Sequence, residues 1–144
     1  MKYIYFIIFI FRQSNTVLQI DQSQCRSSAN NIEVSSKLSI SSDILANANC
    51  GSSSMTFMSR PGQQLNISIT DFTFGAHQHN SRSCINYLEI VDPAKENPIP
   101  VCAGAYGRTG NIMLSEGHEI QTTFHVQDPK NQRFILSFEG KFCF

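Results

Sequence analysis

Along most of the chain after residue 30, apolar and polar residues alternate with a period of two. Gln64-Leu65-Asn66-Ile67-Ser68-Ile69 is the cleanest stretch: Leu65, Ile67 and Ile69 fall on one face, Asn66 and Ser68 on the other. That alternation predicts a strand with one face on a core and the other in water. The pattern slips at Asp71-Phe72-Thr73-Phe74, as a bulge would produce. Residues 27–54 are rich in Ser and Asn, yet they contain Ile32-Glu33-Val34 and Lys37-Leu38-Ser39-Ile40, which suit edge strands. A short apolar run at 55–58 precedes Arg60-Pro61-Gly62, a turn signal. Further strands are expected at 85–91, around Val101, and at 112–114, 119–126 and 133–138, each bounded by Gly, Pro, Asn or Asp. No segment has a convincing helical period, and no repeat or linker divides the chain. Many short strands at this spacing predict one all-β domain, an antiparallel β-sandwich.

Composition narrows the setting. Eleven basic and eleven acidic residues cancel, so no net field draws the chain to nucleic acid or an anionic membrane. Charged residues are 15% of the total, and eleven Phe with no Trp supply much of the apolar volume, which suits an extracellular β protein. The N-terminus reads Lys2, an unbroken apolar run from Tyr3 to Phe11, then Arg12-Gln13-Ser14-Asn15. That order predicts a secretory signal over residues 1–20, with cleavage between about Ser14 and Ser23. The run is about half the roughly 20 residues that a membrane-spanning helix needs, so no membrane span is expected.

Five cysteines stand at Cys25, Cys50, Cys84, Cys102 and Cys143. They form no Cys-x-x-Cys pair and no Cys/His cluster of zinc-site spacing. On a secretory route disulfides are the default, and four cysteines allow three pairings. Cys143 is left over; it pairs with another chain, stays a free thiol, or marks residues 141–144 as the tail of a truncated product.

Cys84-Ile85-Asn86-Tyr87-Leu88-Glu89-Ile90-Val91-Asp92, followed by Val101-Cys102-Ala103-Gly104, resembles the Cys-x-Asp-Tyr-Leu-x-Ile-x-Asp-Gly and Phe-Cys-Gly segments of CUB domains. The resemblance continues through Asn111-Ile112-Met113-Leu114-Ser115-Glu116-Gly117, Glu119-Ile120-Gln121-Thr122-Thr123-Phe124 and Phe134-Ile135-Leu136. It also takes in Pro61-Gly62-Gln63-Gln64-Leu65, and covers residues 25–140 in order. Two departures stand in the first third: Ser52 replaces the usual aromatic, and Asp43-Ile44-Leu45-Ala46-Asn47 replaces a Tyr-Pro-rich turn. The resemblance implies a jelly-roll type sandwich in a secreted or cell-surface recognition module. It also implies disulfide staples pairing Cys25 with Cys50 and Cys84 with Cys102.

Many CUB domains are similar in carrying calcium on three acids. Here residues 72–84 contain no acid, Asn86 stands where an Asp is usual, and Asp128 is only roughly aligned with the last acid. Asn86 and Asp128 are the remaining calcium candidates, and no cofactor is expected. His77-Gln78-His79, with Asp71 nearby, lacks a third ligand of clear spacing for a transition metal; a solvated loop is the expected state. No nucleophile–base arrangement is present, so no catalytic residue and no enzyme activity are expected. Asn66-Ile67-Ser68 is a glycosylation sequon on the outward side of its strand. The expected function is binding of an extracellular protein or glycan through loops 75–83 and 94–100, with a disulfide-linked partner at Cys143 as an option. The alternatives are the CUB portion of a larger secreted protease and a spermadhesin-like carrier of small glycans or lipids.

Overall fold

The computed structural model describes residues 15–18, 31–50, 52–71, 86–95, 97–101, 109–127, 130 and 132–142. Among these are ten strands and one short helix. The strands are β1 (Asn15–Val17), β2 (Asn31–Glu33), β3 (Lys37–Ser41), β4 (Ser52–Met58), β5 (Gln63–Asp71), β6 (Tyr87–Val91), β7 (Ile99–Val101), β8 (Thr109–Leu114), β9 (Glu119–His125) and β10 (Phe134–Phe142), and helix α1 (Ser42–Asn47) follows β3. The strands form two five-stranded sheets, in the orders β1-β3-β10-β5-β8 and β2-β4-β9-β6-β7.

Alternation along each strand turns its apolar residues inward, and the two inner faces meet in one core. Leu38, Ile40, Leu65, Ile67, Leu136 and Phe138 from the first sheet lie against Met55, Phe57, Leu88, Ile90, Ile120 and Phe124 from the second, all buried. Burying one such side chain contributes about 1.5–3 kcal/mol. Phe57 and Phe138 stack across the gap between the sheets, ring centroids 3.7 Å apart and planes 16° apart.

The all-β sandwich is as expected, with several corrections. Neither sheet is purely antiparallel, because β1 pairs with β3 and β2 with β4 in parallel. Alternation along a strand reports which face is buried and says nothing of the neighbour's direction. The 37–40 segment is not an edge: β3 lies between β1 and β10. Asp71 still pairs with Phe134, and residues 72–74, where the rest of the slip was expected, lie outside the described residues. The irregularity is between β5 and β8, where Ile67 pairs with Met113 and Ser68 with Asn111, so Ile112 is the extra residue. A helix occupies Ser42–Asn47, where no helical period was apparent. Apart from these corrections, β1 falls within residues 1–20 and β10 ends at Phe142.

The turn at Pro61-Gly62 is as the sequence suggests. Gly62 has φ 81°, and the Gln63 N–H donates to the Arg60 carbonyl at 3.0 Å, the geometry of a type II turn.

Candidate functional site

The strand directions sort the connections onto two ends of the sandwich. At one end are α1, the start of β4, the start of β6, the end of β9 and the start of β10, since Tyr87 and Ser52 both pair with His125 and Ile135 pairs with Ser41. At the other end are the β2–β3, β4–β5, β6–β7 and β8–β9 turns. Of the two loops expected to contact a partner, 94–100 follows β6 and lies at this second end. Residues 75–83 lie outside the described residues, as do His77 and His79.

The helix-bearing end is built by hydrogen bonds from backbone N–H groups to side chains distant in sequence. Asn86 is 8% exposed, and its Oδ1 accepts the backbone N–H of Gln127 at 2.8 Å, tying the segment before β6 to the end of β9. One residue on, Tyr87 and His125 stack on the outer face of the second sheet, ring centroids 4.2 Å apart and planes 17° apart. Cross-strand register makes the pair, because Tyr87 and His125 are directly opposite on neighbouring strands. Nearby, buried Ser42 accepts the Phe134 N–H on its hydroxyl at 3.1 Å. A hollow of about 290 Å³ opens here, with Asp43 and Arg133 on its walls. The ring pair belongs to the second sheet and the hollow to the helix and the first sheet, so this end carries two separate polar features.

The opposite end is locked. Buried Asp92 accepts the Ala94 N–H on Oδ1 at 3.0 Å and the Glu116 N–H on Oδ2 at 2.7 Å, joining the β6–β7 and β8–β9 turns. Ser115 accepts the Leu65 N–H at 2.7 Å and donates to the Gly117 carbonyl at 2.6 Å. A Lys95–Glu116 ion pair at 3.3 Å closes the outside.

The sequence-derived site residues are placed as follows. Cys50 is buried and disulfide-bonded. Cys25, Cys84, Cys102 and Cys143 lie outside the described residues, and so does Asp128. Asn66 sits mid-strand on the outer face of the first sheet, its Nδ2 donating to Asn111 Oδ1 at 3.2 Å. The Asn86 side-chain oxygen that was a calcium candidate is already held by Gln127. No group of three or more His, Cys, Asp or Glu converges among the described residues. The Tyr87–His125 pair escaped sequence reasoning: both residues were placed in strands, but register across 37 intervening positions is not written in local alternation. Among the described residues no helix is long and apolar enough to cross a membrane.

No family and no curated protein matches the sequence. Among solved structures the chain is similar to the full extracellular region of zebrafish Gpr126/Adgrg6, with a TM-score of 0.57 at 17% identity. The similarity covers 81% of this chain and 15% of that one, so this chain corresponds to a small part of its neighbour's length. What the two share is the fold.

Proposed function

We propose that this chain is a secreted, non-catalytic binding module of CUB type that contacts an extracellular protein or glycan through its helix-bearing end. The observation that carries the reading is the two-sheet sandwich, similar over most of the chain to part of an extracellular region. The Tyr87–His125 ring pair and the hollow with Asp43 and Arg133, both at the helix-bearing end, support a recognition role. The disulfides proposed are Cys25–Cys50 and Cys84–Cys102, and the glycan site is Asn66. A second reading sets the same module within a larger secreted protein; the much greater length of the structural neighbour supports it.

The test is secretion from a eukaryotic host followed by intact mass, with and without reduction and glycan removal. Two disulfides and one glycan on a protein recovered from the medium is the expected result. Retention inside the cell, or a mass unchanged by reduction, would overturn the reading. A Cys143-linked dimer would assign that cysteine to assembly.

A further inference from the structure

The locked end carries a second hollow, of about 320 Å³, between the β2–β3 turn, Arg60 and the last residues of β10. Gln63 lines it and is 7% exposed, yet its Oε1 has no hydrogen-bond partner. A buried acceptor left unpaired costs about 1–3 kcal/mol. The amide lies over Gly140, also in the lining: a Cβ at 140 would stand 2.8 Å from Oε1, so a larger residue there would push the end of the Gln63 side chain aside. Lys37 and Arg60 line the same hollow, and neither forms an ion pair among the described residues. Glu139, the acid in the lining, is bridged instead to Lys141 at 3.7 Å. Phe142, which closes one side, is 65% exposed.

These groups ask for a ligand with three features: an anionic group for the two cations, a hydroxyl or N–H donor for the buried amide, and an apolar face for the ring. We propose that the hollow binds an acidic saccharide unit, a single sugar ring bearing a carboxylate. The carboxylate meets the Arg60 guanidinium, whose planar fork suits it, with Lys37 beside it. A ring hydroxyl donates to Gln63 Oε1 once the terminal amide turns about χ3, a soft torsion. The C–H face of the sugar lies on Phe142. The volume is at the small end of the range for ligand sites, roughly 300–1,000 Å³, which admits one ring and excludes a folded partner. This site is at the end opposite the one proposed for the main partner, so the two stand or fall separately.

The experiment is a titration of the intact secreted protein, followed by backbone amide shifts, with sialyllactose, a hyaluronan tetrasaccharide, neutral lactose and a tetraglutamate peptide. Saturable shifts at Lys37, Arg60, Gln63 and Gly140 with either acidic sugar, and none with lactose, are expected; which sugar saturates distinguishes a sialate from a uronate. Arg60→Gln, an exposed change, is expected to weaken binding about tenfold or more through loss of a charged hydrogen bond. Gly140→Ala is expected to weaken it by crowding the Gln63 amide; should that variant not fold, Lys37→Gln takes its place. Lack of saturation by both acidic sugars, equal binding of lactose, an unaffected Arg60→Gln variant, or binding of the peptide alone would each overturn the proposal.

Discussion

Individual side chains join elements that are remote in sequence. Asp92 serves two backbone N–H groups on two different turns while almost wholly buried. Asp92→Ala orphans both, and an unfolding titration in denaturant is expected to register a loss of about 2–4 kcal/mol. Asp92 itself was legible as the last residue of the CUB-like segment, but Glu116, 24 positions away, was not, because its contribution is a backbone N–H common to every residue type. The inward face of the second sheet holds the reverse case. Thr122 is fully buried and its hydroxyl has no partner. Thr122→Val removes that orphaned group at nearly constant volume, so stability is expected to rise by about 1 kcal/mol. A fall in the denaturation midpoint would show that the hydroxyl does have a partner. Asn86, by contrast, uses its oxygen to hold Gln127. Asn86→Asp keeps the acceptor and is expected to retain stability, Asn86→Ala is expected to lose about 1 kcal/mol, and calcium is expected to leave the wild-type melting temperature unchanged.

Elements differ in how far local pattern reveals them. The strands were legible because residues such as Leu65, Ile67 and Ile69 alternate over enough positions to define a face. Helix α1 was not, since six residues give fewer than two turns and no measurable period. What ends it is local chemistry: the Asn49 N–H donates to the Ala46 carbonyl at 3.1 Å and the Cys50 N–H to the Leu45 carbonyl at 2.8 Å. Asn49 has φ 55°, the left-handed position that this pair of bonds requires and that Asn tolerates. Asn49→Gly is expected to leave stability nearly unchanged, whereas Asn49→Val is expected to cost about 1–2 kcal/mol. Comparing the two thermal midpoints separates the backbone requirement from any loss of the amide. Because this cap leads directly into disulfide-bonded Cys50, the valine variant is also expected to lower the yield of correctly oxidised protein.

For the whole molecule, sandwich class was readable from strand number and spacing, while neighbour order was not, because parallel pairs such as β1–β3 join segments with no turn between them. Of the candidate site, Asn86 was legible as a residue; the Tyr87–His125 pair and the Asp43–Arg133 hollow were not, because strand pairing brings their elements to one end. The N-terminal boundary is where the two kinds of reading meet. The signal expected over residues 1–20 overlaps β1, which covers one side of β3, with the Leu18 N–H donating to the Ser39 carbonyl at 2.8 Å and Leu18 packing on the core. Cleavage just after Ser14 retains this strand; cleavage near Ser23 removes it and leaves Lys37–Ser41 as an open edge with unpaired backbone groups. The fold therefore predicts a mature start at or before Asn15, read by N-terminal sequencing of the secreted protein. It also predicts that a version beginning at Gln24 melts several degrees lower, since about 1 kcal/mol corresponds to roughly 2–4 °C at this chain length, and self-associates through the exposed edge. Equal melting temperatures for the two versions would mean that β1 adds nothing to the sandwich, and a mature N-terminus beyond Asn15 would show that the secreted protein lacks it.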